Sequence, residues 1–90
     1  MFSEMVFSDE RPAYIQLKEY IKQMIAKGIL KSGQRLPSTR ELAEILHNSR
    51  NTVINSYGTL EEDGFLYSVK GIGAFVAEIQ VSNAEEYNLT

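Results

Sequence analysis

Four consecutive residues, Ser49-Arg50-Asn51-Thr52, are the densest set of groups suited to reading another molecule. A guanidinium can address a phosphate or pair with both O6 and N7 of guanine. A carboxamide matches the edge of adenine, and threonine offers a hydroxyl to phosphate or a methyl to thymine. Three of the four also have a plainer role. Ser49 can cap a helix, Asn51 can solvate a first turn and Thr52 can be ordinary helix surface; for Asn51 the two readings stay open. Arg50 is the only formal charge from Asn48 to Leu60. With Asn51, Asn55 and Ser56 expected to face outward, that surface suits a groove wall better than free water.

The elements that must position these groups run from Leu36 to Gly64. Pro37 precedes Ser38, and Glu41 follows three residues later, the pattern of a capping box in which hydroxyl and carboxylate each take a backbone amide of the other. Leu42, Ala43, Ile45 and Leu46 then form an apolar face at helical spacing. His47 and Asn48 interrupt it, and Ser49 opens a second helix whose inward residues are Val53, Tyr57 and Leu60, with Gly64 as a left-handed stop. Two short helices with so tight a connection read as a helix-turn-helix, whose second helix enters the major groove of DNA.

Upstream, Pro12 fits the first turn of a helix reaching about Lys27 and stopped by Gly28. Its expected inward face is Tyr14 or Ile15, Leu17 or the stem of Lys18, Ile21, Met24 and Ile25, after which Ile29, Leu30 and Leu36 return to the core. Met1, Phe2, Met5, Val6 and Phe7 are too many apolar residues for a pure tail, and pack either on the domain or on a partner chain. Downstream, the period changes to extended over Phe65–Val69 and Ala74–Ile79, with Lys70-Gly71-Ile72-Gly73 between, a hairpin. Gly71 and Gly73 allow a tight tip, and Lys70 supplies charge. Gly-x-Gly there is not a dinucleotide loop, because it joins strands and opens no helix. Tyr14, Tyr57, Phe65 and Phe75 are expected in the core, and His47 in a turn. The expected fold is mainly α with a small β wing (α+β): a winged helix-turn-helix of three helices followed by a two-stranded wing. Residues 1–11 are an N-terminal segment, 12–79 the winged helix, and 80–90 a tail or the start of a linker. Ser82 with Glu85 has the makings of one more capped turn.

At 90 residues and 43% hydrophobic content, one domain with a modest core is expected. The chain has no cysteine, which excludes disulfides and thiolate metal sites and suits a reducing cytoplasm. No run approaches the roughly 18–20 apolar residues of a membrane span, and the N-terminus lacks the basic start of a signal peptide. The net charge of −3 argues against nucleic acid, but its distribution does not. Residues 11–50 hold eight bases and three acids, whereas residues 51–90 hold six acids and Lys70 alone.

The chain resembles the GntR family of bacterial transcription regulators from Pro12 to Val76. The resemblance is carried by Tyr14-x-Gln16-Leu17, Gly28-x-Leu30-x-x-Gly33, Leu36-Pro37-Ser38-x-Arg40-x-Leu42-Ala43, Ser49-Arg50-x-Thr52-Val53, Tyr57-x-x-Leu60-x-x-x-Gly64 and Gly71-x-Gly73-x-Phe75-Val76. It implies sequence-specific binding to double-stranded DNA by a homodimer, with Ser38, Arg40, Ser49, Arg50, Asn51, Thr52, Lys70 and Gly71 at the interface. Arg40 has the alternative of an ion pair with Glu44 four residues on. The segments RPAYIQL and SRNTV look most like the MocR subfamily, in which a large aminotransferase-like domain binds pyridoxal phosphate; the YtrA subfamily is the rival. So short a chain does not hold an aminotransferase fold, so under the MocR reading it is the DNA-binding part and the cofactor belongs elsewhere. Departures from the family are His47 where glycine is common, Asn48 in place of an apolar residue, Ser56 in place of alanine, and Gly58 inside the recognition helix. With one His, no Cys and no Ser-His-acid spacing, catalysis is not expected. A winged helix used for protein contacts is the alternative to DNA binding, motivated by the acidic total.

Overall fold

A computed structural model of the chain describes residues 2–78. The order is a short 3-10 turn Phe2–Glu4, helices α1 (Ala13–Ala26), α2 (Thr39–Leu46) and α3 (Arg50–Glu62), and strands β1 (Leu66–Val69) and β2 (Gly73–Val76). The strands pair antiparallel, Leu66 opposite Val76 and Val69 opposite Gly73. This is the winged helix-turn-helix expected from the sequence. The second strand ends at Val76, short of the expected Ile79: Ala77 and Glu78 lie outside it, past the last pairing of Leu66 with Val76. Ile79 itself, the 80–90 tail and the turn at Ser82 lie outside the described residues.

The helices begin and end where local chemistry dictates. At α2 the capping box is complete: the Ser38 hydroxyl accepts from the Glu41 amide at 3.0 Å, and the Glu41 carboxylate accepts from the Ser38 amide at 2.9 Å. The end of α2 is less usual. His47 adopts a left-handed conformation (φ 54°), so that the Asn48 amide reaches back to the Ala43 carbonyl at 3.0 Å. That is the closure glycine ordinarily makes, and a Cβ there costs roughly 1–2 kcal/mol. Gly28 and Gly64 close α1 and α3 in the same left-handed way (φ 79° and 85°).

Packing follows the expected stripes in outline. Leu17, Ile21 and Met24 of α1 meet Val53, Tyr57 and Leu60 of α3, with Leu42, Ala43 and Leu46 of α2 completing the helical core. Leu30, Leu36, Leu66, Ala74 and Val76 bring the linker and wing into the same cluster. Three expectations fail. Ile29 and Ile45 are 49% and 41% exposed, because the core closes over their neighbours Leu30 and Leu46. Tyr14, Phe65 and Phe75 are only half-buried; Phe75 stacks on Tyr67 across the hairpin, ring centroids 5.5 Å apart, and the Lys22 ammonium sits 4.9 Å from the centre of the Phe65 ring. Ser56, expected outside, is fully buried, and its hydroxyl donates to the Tyr14 carbonyl at 2.7 Å, pinning α3 against the start of α1.

Two further features complete the frame. Phe2 is buried and lies against Tyr20, with Met5 and Phe7 half-buried on the same cluster, so the N-terminal segment packs on this chain's own core. The residues before α2 act as a third strand edge. Gly33 and Leu36 donate to the carbonyls of Val76 and Ala74, and Val76 donates back to Gln34, all at 2.8–2.9 Å.

His47→Gly is expected to raise thermal stability by about 1 kcal/mol, or roughly 4–8 °C for a domain this size, in a calorimetric melt. Ser56→Val is expected to lower it by about 1–3 kcal/mol by overpacking the α1–α3 contact. Ser56→Ala is expected to cost no more than about 1 kcal/mol, since the Tyr14 carbonyl keeps its own helical hydrogen bond.

Candidate nucleic-acid interface

The first turn of α3 is built by a small side-chain network. The Asn48 carboxamide oxygen accepts from the Ser49 amide at 2.8 Å and from the Thr52 hydroxyl at 3.0 Å, while the Ser49 hydroxyl accepts from the Thr52 amide at 3.1 Å. Ser49 and Thr52 therefore use their hydroxyls to form the tip. Arg50 and Asn51 are left exposed and, among the described residues, without a side-chain partner. A guanidinium and a carboxamide on a fixed, solvent-facing helix start have their full donor and acceptor sets free.

Arg40 takes the second position of α2, also exposed. The ion pair with Glu44 allowed by its spacing is not formed. The ion pairs among the described residues are Arg11–Glu19 at 2.7 Å and Lys18–Asp63 at 3.7 Å, neither of them at this surface. Ser38 spends its hydroxyl on the capping box beside Arg40.

At the wing tip, the Ile72 amide donates to the Val69 carbonyl at 2.9 Å with Gly71 at φ 80°, the signature of a type II turn with Lys70 and Gly71 at its corners. Gly73 follows at φ 142°, and a Cβ built there falls 3.0 Å from Nε of Arg35. Glycine is thus required by conformation, and its lack of a side chain also leaves room for the exposed Arg35 side chain to lie close against it. Lys70 and Gly71 are both exposed.

One groove of about 490 Å³ is lined by Ser38 and Thr39 of the α2 entrance, Ile54, Gly58 and Glu61 of α3, and Gly71 and Ile72 of the wing. Arg40 directly follows Thr39, Lys70 directly precedes Gly71, and Arg50 is one turn before Ile54. A larger concavity of about 640 Å³ lies elsewhere, under Phe2 and Ile45, and carries the Glu41 and Glu44 carboxylates in its lining. No group of three or more His, Cys, Asp or Glu side chains that would hold a metal ion occurs among the described residues. Nor is any helix among them long and apolar enough to cross a membrane.

The tip is held at its angle by Tyr57. Its hydroxyl donates to the Pro37 carbonyl at 2.7 Å, tying α3 to the entrance of α2. Burial, with a lesser contribution from Glu41, pushes the Tyr57 phenol well above its ordinary value, so it remains a donor. Sequence reading placed Tyr57 in the core but missed this tether, and missed the contact of Arg35 with Gly73. The acids Glu61, Glu62 and Asp63 close α3, about 16–20 Å from Arg50 by helical rise, and Glu61 also lines the groove. There Asp63 pairs with Lys18, and Glu61 accepts a hydrogen bond from Ser68 of the wing.

The Glu41 carboxylate is held below the usual glutamate range, first by the Ser38 backbone amide and further by the Ser38 side chain and nearby Arg35, against a partial opposing effect of desolvation. A lowered folded-state value stabilises above the unfolded value, about 4.3, and that stability is lost as pH falls through the folded value. Melts between neutral pH and about pH 3 are expected to show a smaller acid-induced loss of stability in Glu41→Gln than in the parent chain.

Comparison with known proteins agrees with this architecture. The sequence profile of "Bacterial regulatory proteins, gntR family" matches residues 13–76. The HTH-type transcriptional repressor YtrA of Bacillus subtilis (strain 168) is 37% identical over 79 residues, 88% of this chain and 61% of that protein. The probable rhizopine catabolism regulatory protein MocR of Rhizobium meliloti is 46% identical over 68 residues, 76% of this chain and 14% of that protein. Among solved structures, AraR(DBD) in complex with operator ORX1 superposes with a TM-score of 0.75 at 37% identity, over 82% of this chain and 95% of that one. The chain spans less than two thirds of the length of these two curated relatives. With three helices, a two-stranded wing and a profile match across nearly all of that fold, the chain belongs to the GntR family of bacterial regulatory proteins.

Proposed function

We propose that this chain is the DNA-binding unit of a GntR-type transcription regulator, acting in the cytoplasm as a homodimer on two half-sites of double-stranded DNA. The observation that carries the proposal is the exposed, nearly uncharged start of α3. Its unpartnered Arg50 and Asn51 stand beside a groove that also gathers the α2 entrance and the wing tip. That AraR(DBD), similar to this chain over most of its length, is found in complex with an operator supports a DNA partner.

In this reading the start of α3 enters the major groove, where Arg50 pairs with a base edge and Asn51 with a neighbouring one. Arg40 and Lys70 approach the sugar-phosphate strands to either side and set register. Thr52 and Ser49, with hydroxyls committed to the turn network, shape the tip, and the exposed first amides of α3 favour a phosphate near Ser49. Gly71 lets the wing backbone approach the duplex closely. Two copies are needed because one small reader buries limited surface, and pairing multiplies specificity.

Titration by fluorescence anisotropy, against a duplex selected from a random pool and against a scrambled duplex, tests the assignment. Arg50→Ala is expected to lose about 1–3 kcal/mol on the selected duplex and little on the scrambled one. Lys70→Ala is expected to weaken both alike and to lower the salt slope by about one phosphate contact. A selected complex insensitive to salt, or untouched by either substitution, would instead favour a winged helix used for protein contacts.

A further inference from the structure

The outward stripe of α3 does not stop at Arg50 and Asn51. One turn later it presents Ile54, 46% exposed, then Asn55, and one turn beyond that Gly58. Both Ile54 and Gly58 are anomalies for a surface helix. A β-branched apolar side chain gains nothing by facing water on a helix and is a poorer helix former than the long polar residues that usually fill such positions. Glycine in a helix interior costs roughly 0.5–1 kcal/mol relative to alanine, also through the freedom it keeps when unfolded.

The fold does not require that glycine. Gly58 does not need a left-handed backbone, and a Cβ built on it meets no atom within 4 Å. Every other described glycine has an internal reason, a positive φ that a side chain would strain. At Gly58 the bare surface faces only outward, into the groove that Ile54 also lines. A position kept bare although the protein has room for more points to an external body approaching closely. From Arg50 to Gly58 this stripe carries no carboxylate; the first, Glu61, lines the same groove and is engaged by the Ser68 hydroxyl.

We propose that Ile54 is a base-reading residue, packing its side chain on the 5-methyl group of a thymine in the major groove, and that Gly58 gives the clearance that seats α3 deeply enough for this contact. The methyl of thymine is the one apolar group on a base edge in that groove, and aliphatic side chains are its natural partners. Ile54 lies four residues from Arg50, on the same helix face, so one docking brings both to neighbouring base pairs. The inference rests on the DNA-binding reading above and names a specificity within it.

The test begins from a duplex that the 90-residue chain itself selects from a random pool, with each thymine then replaced in turn by deoxyuridine, which removes only the methyl. Wild-type affinity is expected to fall roughly threefold to tenfold at one thymine in each half-site. Ile54→Ala, whose melting temperature is expected to stay close to the parent's because the residue is exposed, should bind the thymine and uracil duplexes equally. Gly58→Ala is expected to melt a few degrees higher and yet bind the selected duplex several-fold more weakly, since its added methyl occupies the clearance. Uracil tolerated at every position, or an Ile54→Ala variant that still discriminates, overturns the thymine contact. Unchanged affinity in Gly58→Ala overturns the clearance. If such results accompany a selected sequence that still requires Arg50, DNA reading by α3 stands without this inference; if the pool yields no preferred sequence, both fall.

Discussion

A thirteen-residue helix that must be anchored along one side and bare along the other is the constraint on which this structure depends. Helix α3 buries Val53, Ser56, Tyr57 and Leu60, which at the spacing of helical turns form one continuous stripe against α1 and α2. The flanking stripe, from Arg50 through Ile54 to Gly58, stays exposed. Because both stripes belong to the same rigid element, the anchor sets the position of the surface. The Ser56 hydrogen bond to α1 and the Tyr57 hydrogen bond to Pro37 fix rotation and tilt where aliphatic packing alone allows slippage. Directional bonds of this kind contribute modestly to stability but strongly to uniqueness.

The remaining elements hold that helix and flank it. The capping box at Ser38 starts α2 at a defined residue, which fixes Arg40 in the exposed first turn, next to the entrance that Tyr57 ties to α3. The left-handed His47 turns the chain sharply enough for α3 to begin three residues later. The wing is held by pairing with Gly33–Leu36 and by the hydrogen bond from Ser68 to Glu61, so Lys70 and Gly71 are presented from a braced hairpin. Charge is sorted by the same geometry. Arg40, Arg50 and Lys70 are exposed and unpaired among the described residues, while Asp63 pairs with Lys18 and Glu61, although it lines the groove, accepts from Ser68. A net charge of −3 is therefore a poor guide to the field an approaching duplex meets.

Much of this was legible in the sequence, for physical reasons that also explain what was not. Caps and stops are local: a Ser-x-x-Glu pair or a glycine after an apolar period fixes a boundary with few residues, so the elements fell close to where they were expected. Burial is not local. Ile29 and Ile45 have the hydrophobicity of core residues but sit where neighbours already close the core, and Ser56 is polar yet lies on the packed stripe between Val53 and Tyr57. Helical position outweighed residue type in each case. The strand edge at Gly33–Leu36 went unread because its pairing partners lie some forty residues downstream. Of the residues expected at the interface, Arg40, Arg50, Asn51, Lys70 and Gly71 are exposed, and Gly71 and Ser38 line one groove. Ser38, Ser49 and Thr52 had been read with a choice of roles, and their hydrogen bonds show hydroxyls used to build the turns.

The most direct test of the central claim is an amide chemical-shift map of the isotopically labelled chain, titrated with a duplex it has selected. The expected result is a continuous band of large perturbations over Ser49–Asn55, Ser38–Arg40 and Lys70–Gly71, with the buried stripe of α3 much less affected. Perturbations centred instead on the concavity beneath Phe2 and Ile45, with the start of α3 unchanged, would contradict the account.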